Sequence, residues 1–314
     1  MKPMKTRKFL ILIFAFVMIS LSYAPSSMKA EAGQSSIVQV SAGVWLVNIE
    51  KVDLAANSYT LDFYLWFRFN SSQISLADVK NFEFMNGKAD LGLIKEDATE
   101  GYLEYRVKGT FIKTFDFSKY PFETHLLAVE LEHKSMNAHS LIYDSLIDES
   151  GIDENINVAG WNVENFEIHT LEHFYQKEPY SRIVFSVSLS RPALSSFIKS
   201  VLPIMVITTI SLLAFFISPQ NFSQRIGLGV TTLLSATAFH LSLLSGLPPT
   251  GYLTMADRIM LAIYVIFLYN LSASVYVMKL VDAKKNEEAV NFNKKALKIL
   301  PILIIILAAL QLVF

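Results

Sequence analysis

The chain contains no cysteine among its 314 residues. That excludes disulfides from any exported part, and with them thiolate metal ligands and cysteine nucleophiles. A Gly-rich phosphate loop, a nucleophile elbow and a zinc motif are also missing. The six histidines, His125, His133, His139, His169, His173 and His240, show no paired spacing of the kind that holds a metal. No catalytic residue, cofactor or metal site is therefore expected, and the chain does not read as an enzyme. Net charge is nearly absent too, at −1, but it is unevenly spread. From Gly33 to Arg191 there are 23 Asp and Glu against 13 Lys and Arg, a net of −10, and after Arg191 the balance reverses. An acidic stretch of this kind argues against nucleic acid as a partner and attracts cations, although it is also what an ordinary soluble surface looks like.

What is present in quantity is apolar surface. Hydrophobic residues make up 52% of the chain, too many for one soluble domain, while the first half is too charged for a protein wholly in the membrane. Two zones follow. Ahead of them, Lys2, Lys5, Arg7 and Lys8 precede the apolar run Phe9 to Leu21, and Ala30-Glu31-Ala32 offers small residues for cleavage. Residues 1–32 read as a secretory signal peptide, with an uncleaved anchor as the alternative.

Residues 33–192 carry short alternating runs: Val38-Gln39-Val40, Tyr59 to Phe69, Tyr102 to Ile112, His125 to Leu131 and Ile183 to Leu189. Alternation broken by Asn, Asp, Gly and Ser clusters predicts an antiparallel β-sandwich. The stretch Asp144 to Ala159, with Asp148, Glu149, Asp153 and Glu154 around Gly151, reads as a polar connection between strands. A solvated loop is preferred there to a divalent-cation site.

Residues 193–314 contain four apolar segments, Ala193 to Ile217, Ile226 to Leu247, Met255 to Val281 and Ala296 to Phe314. Each is long enough, at ~1.5 Å per residue, to cross a hydrocarbon core of ~30 Å. The expected class is thus a β-sandwich followed by a four-helix transmembrane domain. Lys279, Lys284, Lys285, Lys294, Lys295 and Lys298 surround the third connection and put it in the cytoplasm. The sandwich then lies on the extracellular or periplasmic side of the cell (inner) membrane. Pro203 and Pro301 read as helix kinks.

Steps of four and three from Gly227 reach Thr231, Leu234, Ala238, Leu241 and Ser245. This face of the second segment has small or hydroxyl ends and leucine in the middle. Lipid gives no reason for such a stripe. Several copies around an axis would set hydroxyl rings near the ends of a water path and a leucine ring at its waist.

An exported sandwich followed by four membrane helices, the second bearing a pore stripe, resembles the pentameric ligand-gated ion channel (Cys-loop receptor) family. Three places carry the likeness. Phe115-Asp116-Phe117-Ser118-Lys119-Tyr120-Pro121-Phe122-Glu123 is similar to the family's signature loop, with Glu123 where aspartate is usual. Lys113 and Leu127 stand where eukaryotic members have the bridging cysteines, which points to the prokaryotic branch. Arg191, just before the first helix, matches the family's arginine at the domain junction, and the resemblance implies that it meets Glu123. A membrane-interface arginine snorkelling to headgroups is the other reading of Arg191. Arg225 and Pro248 reproduce the basic start and proline end of the pore helix.

With those anchors, the resemblance puts Leu234 at the central gate and turns Arg225 away from the pore. Tyr120, Pro121, Phe122, Glu123, Arg191 and Pro248 become the domain-coupling set. Gln224 stands where cation-selective members carry glutamate, and Ser223-Gln224 also differs from the Pro-Ala of anion-selective members. The acidic sandwich favours cations, with an anion channel or a non-conducting membrane-anchored receptor as alternatives. The resemblance further implies a homopentamer in a lipid bilayer, opened by a small extracellular ligand or by protons and passing ions. Agonist-site candidates are Glu132, Lys134, Phe174, Tyr175 and Tyr180. Glu132 suits an amine, Lys134 beside it suits a carboxylate ligand, and the aromatics fit either a cationic headgroup or strand packing.

Overall fold

The computed structural model describes residues 37–311, so the signal-peptide reading lies outside the described residues. Ten strands form two facing sheets. The larger contains β4 (Gly87–Asp97), β5 (Tyr102–Ile112), β2 (Ser58–Phe69), β1 (Val38–Asp53) and β7 (Leu141–Ser145) in that order, and β8 (Gly151–Ile152) also pairs with β1. The smaller orders β3 (Phe82–Phe84), β6 (Thr124–His133), β10 (Glu178–Ser190) and β9 (Asn162–Tyr175). The inward positions of the long strands fill the space between them. Phe63 and Phe67 of β2, Phe111 of β5, Leu127 and Val129 of β6, and Phe185 and Leu189 of β10 are all buried. Phe63 and Phe185 meet edge to face across the layers at 4.8 Å. Fully burying a side chain of this size contributes ~1.5–3 kcal/mol, which makes this aromatic layer the main support of a domain without disulfides.

The sandwich differs from the antiparallel expectation at one edge. β7 and β8 run parallel to β1, with Val38 opposite Leu141 and Trp45 opposite Gly151. β6 belongs to the other sheet, so the chain changes sheets before β7, and no hairpin fixes the direction in which β7 pairs. The polar stretch 144–159 is not loop throughout, since it holds β8 and the turn Ile147–Glu149. Arg68 grips Glu149 there with two hydrogen bonds of 2.6 and 2.7 Å.

Gly101 shows where the backbone decides the residue. Its φ is +67°, and a Cβ there would lie 1.9 Å from the carbonyl oxygen of Phe69. Only glycine fits both constraints. Gly101→Ala is expected to lower stability by ~1–3 kcal/mol or more, seen as a lower Tm of the purified protein.

After β10 come four helices: α1 (Ala193–Phe216), α2 (Phe222–Leu244), α3 (Met255–Asp282) and α4 (Asn286–Leu310). The first three are long and apolar enough to cross a membrane by length and composition. α4 begins ten residues before the predicted apolar segment and carries Lys294, Lys295 and Lys298 within the helix. Its charged first half is amphipathic helix that an apolarity search passes over. α1 widens to a π turn over Phe197–Val201. Pro203 follows at once and has no N–H to offer the carbonyl of Lys199, one of the recognised causes of irregular helix. α3 opens with Thr254 and Asp257 in a reciprocal capping box.

The helices pack in two clusters. Ile204, Ala236, Met260 and Phe267 join α1, α2 and α3, while Phe215, Ile266, Ala273, Ala296 and Leu300 join α1, α3 and α4. Asn270 of α3 donates to the Ser211 carbonyl at 2.7 Å, a buried polar tie between helices.

Candidate functional site: the junction and the exposed face of the second helix

The signature segment lies between the sandwich and the helix ends, and its backbone does much of the joining. Met255 N–H donates to the Ser118 carbonyl at 2.9 Å, and Ala256 N–H to the Tyr120 carbonyl at 3.0 Å. Tyr120 in turn donates its hydroxyl to the Leu243 carbonyl at the end of α2, at 3.0 Å. Leu243, Leu247 and Ala256 pack on the sandwich core, so the apolar interior continues into the helical region. Pro121 is buried, while Phe122 and Pro248 are half-buried.

Glu123 is the charged centre of this junction. Its side chain is 1% exposed, and Oε1 accepts from Arg191 Nε at 2.5 Å. A backbone bond from Arg191 N–H to the Glu123 carbonyl, at 3.2 Å, runs beside it. The Arg191 guanidinium also lies 4.5 Å from the Trp161 ring centre and 5.5 Å from that of Tyr120, within range of cation–π attraction. Arg191 thus has a packed position in the protein and does not simply reach toward headgroups. Burial opposes ionisation of Glu123, but the neighbouring His125 ring and the Arg191 guanidinium outweigh it, and the carboxyl is held below the usual glutamate range.

Two participants escaped sequence reasoning. Tyr252 accepts from Phe117 N–H at 2.8 Å and donates to Asp116 at 3.3 Å, and Trp161 receives Arg191. The only sequence cue for either was position or rarity: Tyr252 follows Pro248-Pro249-Thr250-Gly251, and Trp161 is one of three tryptophans.

α2 presents its stripe outward. Gly227, Thr231, Leu234, Ala238, Leu241 and Ser245 are all exposed in the protomer, Leu234 at 65% and Leu241 at 68%. Ser245 is the residue that caps α2. The opposite side, with Gly229, Thr232 and Ala236, is buried against the other helices. Arg225 belongs to the buried side and is fully enclosed, donating to Asn293 Oδ1 at 2.6 Å and to the Ile217 carbonyl at 3.4 Å. Gln224 is exposed beside it.

The agonist candidates fall into two groups. Glu132, only 3% exposed at its side chain, accepts from Arg182 Nε at 2.6 Å and from the Tyr175 hydroxyl at 3.1 Å. Arg182 also pairs with Glu130, and Tyr180 packs edge-on to Tyr175 at 5.5 Å. Burial, followed by Glu132, raises the Tyr175 hydroxyl, which keeps it a donor. Phe174 falls on the alternate face of β9 and is 58% exposed, and Lys134 lies exposed beyond the end of β6. The Glu132 carboxylate therefore already has a cation, an arrangement invisible in sequence because its partner stands 50 residues away. Arg182→Ala would strand a buried carboxylate and is expected to destabilise the protein by ~3–5 kcal/mol, measurable as a lower Tm.

His133 is explained by packing. Its Nδ1 accepts from the N–H groups of Ser135 and Met136 at 3.2 and 2.9 Å, which leaves Nε2 to donate to the Asp78 carbonyl at 2.9 Å. Burial lowers its proton affinity accordingly.

Residues 200–307 match the neurotransmitter-gated ion-channel transmembrane region. Over this region the chain is similar to the pentameric ligand-gated ion channels. The matched region is that of a membrane channel, and three helices here are long and apolar enough to cross a membrane. Similar proteins include a proton-gated ion channel of Gloeobacter violaceus, 25% identical over 55% of this chain and 48% of that one. Others are the γ-aminobutyric acid receptor subunit pi of Rattus norvegicus, 26% identical over 52% and 38%, and subunit rho-1 of Homo sapiens, 23% identical over 58% and 39%. The chain spans about half or less of the length of these relatives.

Proposed function

We propose that this chain is a channel of the pentameric ligand-gated family, a homopentamer in which α2 of each copy lines a central water path, opened by a small extracellular ligand or by protons. The observation that carries the reading is the α2 stripe: six small, hydroxyl or leucine positions left uncovered on a helix whose other side is packed. Neighbouring copies supply the cover. Leu91, Leu93 and Ile94 are exposed on edge strand β4, and Leu171, Phe174 and Tyr175 on edge strand β9, 38–58% each. Two different apolar edges suit a head-to-tail contact, which closes into a ring. α4 is the fourth crossing, and the sandwich faces outward because the lysines around the α3–α4 connection stay inside.

Cations are the proposed cargo, since five sandwiches of net −10 each concentrate them at the outer mouth. One observation favours anions instead: among the described residues Arg225 has only neutral partners, Asn293 and the Ile217 carbonyl, and Ser223-Gln224 adds no carboxylate at the inner mouth. A reversal-potential measurement in a salt gradient separates the two. The ligand site is proposed between adjacent sandwiches beside Tyr175 and Tyr180. Because Glu132 is held by Arg182, an amine must displace that arginine to reach it. The test is ion flux from liposomes containing the purified protein, under acidification and a panel of amines and carboxylates. Evoked flux is expected; binding without flux under every stimulus would favour a non-conducting receptor.

A further inference from the structure

His125 has so far appeared only as a neighbour of Glu123, yet it is enclosed in the junction. It is 3% exposed. Its ring is surrounded by Phe115, Trp161 and Phe117, with centroids at 4.7, 5.3 and 5.5 Å. Nε2 has no hydrogen-bond partner among the described residues, and neither has Glu123 Oε2. Nε2 stands 3.8 Å from Glu123 Oε1, the oxygen that Arg191 holds, too far for a hydrogen bond. Buried polar atoms are ordinarily paired, so an unpaired imidazole nitrogen next to a carboxylate that itself keeps one unpaired oxygen calls for an explanation.

We propose that His125 is a proton-binding site that makes the sandwich–helix junction sensitive to acid. The inference rests on the channel reading for its consequence, but not for the site itself. A proton on the imidazole makes both ring nitrogens donors and places a positive charge beside a carboxylate that has a spare oxygen. The charged groups near the ring are Glu123 two residues earlier, Asp116 in the signature segment, and Arg191, which shares Glu123 and the Trp161 ring with it. Two carboxylates favour the proton and one guanidinium opposes it. The three aromatic rings leave no room for bulk water but accept a cation on their faces.

Glu123 then serves two cations where it served one, and the hold of Arg191 on its Oε1 weakens. Arg191 also lies over Trp161 and Tyr120, and Tyr120 bonds the carbonyl of Leu243 in α2. A change at the imidazole is therefore linked to the end of the pore-facing helix by four contacts, through Glu123, Arg191 and Tyr120.

The test uses the full chain and reads the site directly through Trp161, because a protonated imidazole quenches a neighbouring indole. Tryptophan emission of the wild type is expected to fall in a single transition as the pH is lowered. In His125→Gln that transition should vanish, with Tm at pH 8 confirming a folded protein; His125→Asn serves if glutamine is not tolerated. Glu123→Gln removes a carboxylate that favours the proton, so it should move the midpoint to lower pH. An identical transition in the His125 variants, or a flat wild-type profile, overturns the proposal, as does an unmoved midpoint in Glu123→Gln. In liposomes, acid dependence of flux should be lost in His125→Gln. Intact fluorescence titration with no flux at any pH supports the site and counts against the channel reading.

Discussion

Leu234→Ser is expected to lower the stimulus needed for half-maximal flux on the order of tenfold, equivalent to about 1.4 kcal/mol in favour of the open state. The side chain is 65% exposed in the protomer and lies midway along the stripe. In a ring of five, those leucines meet across a constriction, and an apolar constriction stops ions by shedding its water. Five hydroxyls hold that water in place. The closed state loses its barrier while the open state, already wet, changes little. Flux assays at graded ligand or pH would show the shift, and a basal leak is expected with it. Unchanged sensitivity and unchanged leak would mean that the gate lies elsewhere on α2. Thr232→Ser, on the packed side, is the control and should leave sensitivity where it was.

Arg191→Ala should have the second large effect, by a different route. Glu123 is 1% exposed and Arg191 donates directly to its Oε1. Removing the guanidinium leaves a buried carboxylate uncompensated, a change that typically costs ~3–5 kcal/mol. Arg191 is itself 26% exposed, so water entering its place puts the expected loss toward ~3 kcal/mol. Evoked flux should be lost while ligand binding at the sandwich persists, because the sandwich core does not include Arg191. Glu123→Gln in the same background should recover part of the stability, since no charge is then stranded. The pH dependence has a definite sign. A carboxyl held below its ordinary range stabilises the fold fully above the unfolded value of ~4.3, and that contribution is lost as pH falls through the lower folded value. The wild type should therefore lose stability on acidification below ~4 more steeply than Glu123→Gln.

Much of this architecture is legible in the residues because two periodicities are strong. β5 was bounded to the residue, and β2 to within one, by alternation that faces an aromatic core. α1, α2 and α3 start or end within a few residues of their apolar runs. β4 and β9 were missed for a shared reason: both are edge strands, β4 has no buried residue and β9 only Ile168, so no alternation marks them. The stripe on α2 was readable because it is one helix seen from one side. The Glu132–Arg182 pair, the Arg191–Trp161 stacking and the Tyr252 bridge were not, because each joins residues that only the packing of two sheets and four helices brings together.

The lack of native cysteine makes the central claim directly accessible. Single substitutions Thr231→Cys, Leu234→Cys, Ala238→Cys and Leu241→Cys, with Thr232→Cys and Ala236→Cys for comparison, can be exposed to a charged, water-soluble thiol reagent during evoked flux. If five α2 stripes face a common water path, the first four are modified and flux is blocked or altered, while the two on the packed side do not react. Equal reactivity on both sides, or reaction of the first four without any change in flux, would contradict it.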